Sequence, residues 1–241
     1  MQYQVLSWDT DFFCHKVARI DKSDLNKDEL TDIILKLKVD GVSLVYFPSS
    51  KKFEEQFIKN LGGILADIKT TFAMDFGTVT LEEYVPNDIV ESYMSFMSIK
   101  DIEDLAIQSG KYSRYAVDPN IPMEKFEALY KIWVNRSLKK EIAKEVLVIR
   151  EDDRVAGMIT LGEQNGRGDI GLIAVDANYR GKNYGEKLVC AAQRWFVMNG
   201  YNFGQVVTQG MNVPACNLYT KRGYSVEKVE YFYHFWLKNI V

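Results

Sequence analysis

Apolar side chains recur at three- and four-residue intervals in several stretches of the chain, the spacing that gathers them on one face of an α-helix. Leu30, Ile33, Ile34 and Leu37 form one such face, Phe53, Phe57, Ile58 and Leu61 a second, and Phe126, Leu129, Tyr130 and Trp133 a third. The clearest is Tyr184, Leu188, Ala191, Ala192, Trp195 and Phe196, with Glu186, Lys187, Gln193 and Arg194 between them. Local signals bound these helices. Asn26-Lys27-Asp28-Glu29 has the composition of a capping box, Pro48-Ser49-Ser50 is expected to cap the second helix, and Pro122 suits the first turn of the third. Gly41, Gly62-Gly63 and Gly200 stop the runs.

Runs rich in β-branched and aromatic residues predict strands at 42–47, 64–68, 71–76, 145–150, 155–161, 170–175, 203–208, 224–228 and 230–237. Residues 3–8 and 16–20 read as short strands flanking Asp9-Thr10-Asp11-Phe12-Phe13. Gly77 to Tyr84 reads as a further strand, and Val85-Pro86-Asn87-Asp88 as the cap of a helical region reaching about Gln108. Ser113 to Pro119 reads as a loop, Glu151-Asp152-Asp153 as a hairpin turn and Gly162 to Gly168 as another turn.

Two parts of this pattern repeat. When the chain is laid over itself without a gap, Val42 meets Phe203, Gly62 meets Gly223 and Phe76 meets Leu237, so both halves spell strand, helix, strand, strand. Two unrelated short units could share that order by chance, so the repeat is an expectation for the fold to test. The copies differ in chemistry: Tyr219 falls opposite Ile58, and nothing in the first half corresponds to Arg180-Gly181-Lys182-Asn183-Tyr184-Gly185. The division expected is residues 1–76 and 77–241.

Composition narrows the class. A chain of 241 residues with 47 % hydrophobic and 26 % charged residues builds one large domain or two small ones. A net charge of -3 lacks the basic excess of a nucleic-acid-binding protein. No apolar run approaches the roughly 18 residues of a membrane span, and Met1-Gln2-Tyr3-Gln4 opens no signal peptide, so a cytoplasmic location is expected. Cys14, Cys190 and Cys216 are odd in number and far apart, which reads as reduced thiols without a metal site. His15 adjoins Cys14, but neighbours on a strand point to opposite faces, which argues against a Cys-His nucleophile.

The stretch from Ile170 to Leu188 carries the candidate chemistry. A strand ends near Asp176, and Arg180-Gly181-Lys182-Asn183-Tyr184-Gly185 leads into the clearest helix. Glycines before a helix let a ligand approach the backbone, first-turn N–H groups attract phosphate, and Arg180 and Lys182 add positive charge. Gly and Asn there are also ordinary turn chemistry. Near the C-terminus, Asn212-Val213-Pro214-Ala215-Cys216-Asn217-Leu218-Tyr219 opens a helix that Gly223 ends.

These two motifs and the order of elements around them resemble the GCN5-related N-acetyltransferase family. Arg180 and Gly185 match the ends of the family's Arg/Gln-x-x-Gly-x-Gly/Ala pattern, with Asn183 where its first glycine is expected; Asn tolerates a left-handed backbone better than other non-glycine residues. Asn212, Ala215, Leu218, Tyr219 and Gly223 fit the second motif. The resemblance implies an α/β fold with a mixed, mostly antiparallel sheet, and acetyl-CoA as acetyl donor, with no metal. It implies a pyrophosphate cradle formed by Arg180, Gly181, Lys182, Asn183, Tyr184 and Gly185, with the pantetheine arm on Ile173, Ala174 and Val175. It further implies Tyr219 as general acid toward the leaving thiolate and Asn212 as a positioning residue or a helix cap. Glu163 and Asp169 read as solvated carboxylates, so no general base is assigned.

Leu6 to Phe13, Ser113 to Leu138 and Tyr233-His234-Phe235-Trp236-Leu237 are similar to segments of the TDP-fucosamine acetyltransferase group, in which a partial, degenerate copy of the fold precedes the catalytic one. That likeness implies an acceptor that is a nucleotide-linked 4-amino-4,6-dideoxyhexose for surface polysaccharide, and a possible homodimer. The acceptor would meet Trp8, Asp9, Phe12, Phe13, Arg114, Tyr115, Asp118 and Trp133, although each of the aromatic residues also suits a core. The alternatives are a protein N-terminus, another small amine such as an aminoglycoside, or a non-catalytic acyl-CoA-binding module.

Overall fold

In the computed structural model, residues 3–77 and 89–237 are described. One ten-stranded sheet runs through them in the order β1-β2-β3-β10-β4-β9-β8-β7-β6-β5. Its strands are β1 (Tyr3–Val5), β2 (Val17–Ile20), β3 (Leu44–Ser49), β4 (Gly63–Asp75) and β5 (Val90–Ser92), then β6 (Glu145–Glu151), β7 (Arg154–Gln164), β8 (Arg167–Val175), β9 (Phe203–Gln209) and β10 (Ser225–Trp236). The helices are α1 (Ser7–Phe13), α2 (Lys27–Val39), α3 (Glu55–Asn60), α4 (Ile99–Ser109), α5 (Arg114–Val117), α6 (Met123–Leu138), α7 (Tyr184–Met198) and α8 (Val213–Lys221). Only β2/β3 and β8/β9 pair in parallel, each joined by a helical crossover, as parallel neighbours require. The fold is the expected mixed, mostly antiparallel α/β sheet. None of the described helices is long and apolar enough to cross a membrane.

The repeat is visible in the sheet. Read outward from the centre, β10-β3-β2-β1 and β4-β9-β8-β7 are the same arrangement, with α2 matching α7 and α3 matching α8. The two central strands pair antiparallel with two irregularities, which leave Glu227 of β10 and Ala66 of β4 as the extra residues. Those residues are 161 positions apart, the offset that also relates Gly223 to Gly62, and both glycines have positive φ, 87° and 76°. Shared bulges and shared left-handed turns at one offset are more than two βαββ units would share by chance.

Several local readings change. Residues 7–13 form α1 rather than the end of a strand and a loop; Trp8 and Phe12, one helical turn apart, stack at 5.0 Å. Cys14 caps that helix with φ 60°, so the strand argument about Cys14 and His15 does not apply, although all three cysteines are free. Pro48-Ser49 belongs to β3, and α3 starts at Glu55. The paired runs at 64–76 and at 224–237 are single bulged strands, and 114–117 is a short helix. The turn expected over 162–168 shrinks to Asn165-Gly166, because β7 and β8 pair up to Gln164 and Arg167. Beyond Gly77, the strand expected at 77–84 and the cap at 85–88 lie outside the described residues, and the helical region expected after them starts only at Ile99, following β5.

Three clusters form the interior. α2 and α3 cover one face of the N-terminal strands around Leu30, Leu37, Phe47 and Phe235. α7 and α8 cover the same face of the C-terminal strands around Phe72, Leu188, Phe196 and Tyr219. On the opposite face α1, α4, α5 and α6 pack around Tyr46, Leu105, Tyr130 and Phe232 and bridge both copies.

Candidate active site

The parallel pair β8/β9 is incomplete. Its strands are in register only at Gly168↔Gly204, Asp169↔Gln205 and Ile170↔Val206. Beyond that point β8 stays with β7 as far as Val175, and β9 stays with β4 as far as Gln209. A notch therefore opens between them. Its closed end is fixed by glycines: a Cβ on Gly168 or Gly204 would fall 2.3 Å or 3.1 Å from the Phe196 ring, which lies against both. At the point of parting, Gly171 and Leu172 together oppose Thr160, whose hydroxyl accepts from the Leu172 amide at 2.8 Å. The amides of Leu172 and Asp176 both point toward β7. Strand alternation then turns the N–H groups of Ile173 and Val175 into the notch, where they can bond an extended ligand arm or a developing oxyanion.

At the mouth of the notch the chain enters α7 through the predicted loop. Asn183 has φ 60° and ψ 21°, the left-handed backbone its position demanded. No side chain caps the helix, so its first-turn amides are unclaimed by the protein. Gly181 has φ 84°, and nothing lies within 4 Å of where its Cβ would stand. Arg180 Nε reaches back to the Val175 carbonyl at 3.2 Å. This combination suits an anion such as a pyrophosphate. Tyr184 and Lys182 play another part: the Tyr184 hydroxyl and Lys182 Nζ both bond Glu151, anchoring the loop to the β6–β7 hairpin. Gly185 serves packing, since its Cβ would stand 3.3 Å from Leu218 of α8. The corresponding end of α2 is closed. There the Asn26 side chain and Glu29 cap each other's backbone amides, and Asp28 and Glu29 put negative charge in the first turn.

Asn212 is the N-cap of α8, accepting from the Ala215 amide at 3.3 Å. Tyr219 is 2 % exposed and packs on Phe72 and Tyr224, with ring centroids at 5.7 Å and 6.1 Å. Phe72 pairs with Val206, the last β9 residue before the notch opens. Tyr219 thus sits by the closed end, on the α7/α8 face. Burial pushes its phenol well above the usual value.

On the other face lies a cavity of about 920 Å³. Gly171, Leu172, Val207 and Gln209 line it, so the notch opens into it. Of the residues expected to hold an acceptor, Trp8, Asp9, Arg114, Tyr115 and Trp133 line the cavity. Phe12, Phe13 and Asp118 do not: Phe12 stacks beneath Trp8, Phe13 is core, and Asp118 is buried against His234 Nδ1 at 2.6 Å and Trp236 Nε1 at 2.9 Å. Arg114 is less free than expected. Its guanidinium lies 4.3–4.5 Å from the rings of Tyr46, Tyr115 and Phe232 and bonds the Tyr115 hydroxyl. The acids Asp9, Asp21, Asp67 and Glu230 are matched by Arg19, Lys69, Arg114 and Arg136.

The lining residues Tyr46, Asp67, Lys69 and Glu230 gave no motif, being single positions on strands distant in sequence. One signal was present: Asp67 interrupts the apolar run Ile64 to Ile68. Of the two acids read as solvated, Glu163 is exposed and paired with Lys144, but Asp169 is half-buried and accepts from Gln205 at 2.9 Å. Burial raises the Asp169 carboxyl, and neither acid lines the cavity. Among the described residues there is no group of acids, histidines and cysteines placed to hold a metal ion.

Residues 101–224 match the family model described as the acetyltransferase (GNAT) family. A spore coat polysaccharide biosynthesis protein, SpsD, of Bacillus subtilis is 25 % identical over 133 residues, covering 55 % of this chain and 46 % of that protein. A streptothricin acetyltransferase of Escherichia coli is 33 % identical over 82 residues, 34 % of this chain and 47 % of its own length. The chain thus spans about half the length of the curated relatives it matches. Among solved structures, a Staphylococcus epidermidis protein of unknown function aligns with TM-score 0.64 at 14 % identity, covering 92 % of this chain and 84 % of its own. A tandem GNAT protein from the clavulanic acid pathway aligns with TM-score 0.54 at 12 % identity, covering 93 % and 76 %. At such identities the likeness is one of fold, and it extends over both copies of the repeat. The family match spans more than half of the sequence, from α4 to the start of β10: the chain belongs to the acetyltransferase (GNAT) family, whose acetyl donor is acetyl-CoA.

Proposed function

We propose that the chain is an N-acetyltransferase that moves an acetyl group from acetyl-CoA to the amine of a nucleotide-linked amino-dideoxyhexose, of the TDP-4-amino-4,6-dideoxyhexose type, for surface polysaccharide synthesis. The observation that carries this reading is the notch between β8 and β9, with an uncapped helix N-terminus at its mouth and an aromatic cavity behind it. Acetyl-CoA supplies an activated acetyl thioester. First-turn amides of α7, Gly181 and Arg180 would hold its pyrophosphate, and the backbones of Ile173 and Val175 its arm. Tyr219, on the α7/α8 face, would protonate the departing sulfur while the acceptor amine approaches from the cavity on the opposite face.

The acceptor assignment rests on the cavity's chemistry. A polycationic drug would call for a surplus of acids, whereas acids and bases are balanced here and Trp8, Tyr46, Tyr115 and Trp133 offer ring faces for a base or sugar. Trp8 is 47 % exposed at the rim, with one face already stacked on Phe12 and the other open to a ligand. The polysaccharide-related name of one relative agrees with a sugar acceptor. A second reading, a streptothricin-like amine, is favoured by the other relative. The N-terminal copy, residues 1–76, has in this reading lost its anion site through the Asn26–Glu29 capping box and kept a wall of the acceptor cavity.

Incubation with acetyl-CoA and a panel of TDP- and UDP-amino sugars, streptothricin and peptides, followed by free thiol, tests this. Turnover of a TDP-amino sugar is expected. Turnover of streptothricin or peptide alone would overturn the acceptor assignment, and no thiol release with any of them would overturn the activity. Arg180→Ala is expected to weaken acetyl-CoA binding by roughly tenfold, the worth of one charge-assisted hydrogen bond. Calorimetry giving an unchanged affinity would remove Arg180 from the phosphate site.

A further inference from the structure

One carboxylate oxygen beside the cavity lacks a partner. Asp67 stands on β4, opposite Phe232 of β10, and lines the cavity wall. Its Oδ1 is buried without any hydrogen bond, and the Ile68 amide is the backbone donor that acts on the carboxylate. A buried carboxylate oxygen without a hydrogen bond is costly, so native structures seldom keep one unless a ligand completes the group.

The cations nearby are committed elsewhere. Arg19 pairs with Asp21 at 3.0 Å, Lys69 with Glu230 at 3.3 Å, and Arg136 with Glu141 at 2.9 Å. Arg114 of α5 faces Asp67, yet it is held over three rings and bonded to Tyr115, and it makes no ion pair with Asp67. Of the remaining titratable groups around the cavity, Asp9 of α1 is another acid, and burial pushes the phenols of Tyr46 and Tyr130 up, so they stay protonated at neutral pH. No cation among the described residues forms an ion pair with Asp67. Burial, only partly offset by Arg114, the Ile68 amide and Lys69, pushes its carboxyl up to about 7.

We propose that Asp67 is the subsite that receives the protonated amine of the acceptor, making it the residue by which the cavity selects an amino sugar over the corresponding hydroxy sugar. The site lies on β4, two residues from Lys69, which pairs with Gln209 at the open edge of the notch. Two residues of strand span about 7 Å, so a sugar-sized group bound there also reaches toward the parted strands. The proposal deepens the nucleotide-sugar reading and rests on it. It also gives the N-terminal copy a part in substrate choice, because Asp67 has no counterpart among the motifs of the C-terminal one.

The test compares equilibrium binding of TDP-4-amino-4,6-dideoxygalactose and TDP-fucose, which differ by amine against hydroxyl, to the wild type and to Asp67→Asn. The wild type is expected to prefer the amine by roughly 10- to 100-fold, the worth of a charged hydrogen bond. That preference should be larger near pH 7.5 than near pH 6, since the carboxyl must be ionised. Asp67→Asn should lose the preference while binding TDP-fucose and acetyl-CoA as before. Equal binding of both sugars by the wild type, or a preference that survives in Asp67→Asn, would overturn the assignment and leave the nucleotide-sugar reading standing. If neither sugar nucleotide binds, that reading falls and the subsite falls with it. The wild-type comparison needs no variant, so a folding defect in Asp67→Asn would not shield the proposal.

Discussion

Tyr219→Phe is expected to lower the turnover number by one to three powers of ten while leaving acetyl-CoA affinity within about twofold, the range of general acid catalysis. The substitution keeps the ring that packs on Phe72 and Tyr224, so fold and cofactor site should survive. What it removes is a proton held next to the closed end of the notch. Burial raises the phenol further above a free thiol's pKa of about 8.5, so Tyr219 carries its proton throughout the neutral range. As the carbon–sulfur bond breaks, the phenol donates first a hydrogen bond and then its proton to the departing sulfur, and the phenolate, the stronger base of the two, takes back the proton that the attacking amine must lose. Steady-state kinetics with a turned-over acceptor decide the matter. An unchanged turnover number would make Tyr219 a packing residue, whereas a loss confined to KM for acetyl-CoA would place it in binding.

The parts of this molecule that were legible in its sequence are those written in consecutive residues. The loop into α7 is one: Asn183 stands where a glycine was expected, and its φ of 60° is what that position needs. The repeat is another, because a gapless offset brings Gly62 onto Gly223 and the two share a left-handed turn. Asn212 was legible as a helix start and is a cap. Elements broken by bulges were misjudged. Glu227 and Ala66 interrupt the alternation of β10 and β4, so each long strand reads as two short ones. Helix α1 was missed because seven residues offer one pair at helical spacing, Trp8 and Phe12, too few to outweigh the flanking polar residues.

The cavity behind the notch was half legible for a different reason. Trp8, Asp9, Arg114, Tyr115 and Trp133 belong to segments with a recognisable composition, so they could be gathered before the fold was known. Tyr46, Asp67, Val207 and Glu230 meet only because β3, β10, β4 and β9 are neighbours in the sheet. Asp118 was misplaced on the same account: a loop acid beside aromatic residues looks like a ligand contact until His234 and Trp236 arrive from β10 to satisfy it.

Asp118→Ala is expected to cost about 3 kcal/mol of stability at pH 7.5, because it strands the buried donors of His234 and Trp236 together with the Asn120 amide. Burial alone would raise the Asp118 carboxyl, but the hydrogen bonds from His234, Asn120 and Trp236 outweigh it and hold the group ionised. His234 itself is fully buried, and its pKa falls to about 4, chiefly through desolvation, against which the Asp118 bond works. Between about pH 6.5 and 4 the unfolded chain therefore takes a proton at this histidine that the folded chain refuses, so stability is lost as the pH falls through that window. The shift is worth roughly 3 kcal/mol. Asp67 acts in the opposite sense. Its carboxyl, raised to about 7, binds a proton in the folded state at pH values where the unfolded chain has released it, so stability is gained as pH falls from 7 toward 4. In the wild type the two slopes oppose each other, and Asp67→Asn removes that opposition to the histidine slope. Urea unfolding from pH 7.5 to 4.5 should show Asp67→Asn more stable than the wild type at the upper end and losing stability more steeply toward the lower end. Parallel profiles for the two proteins would mean that Asp67 has an ordinary carboxylate pKa in the folded state.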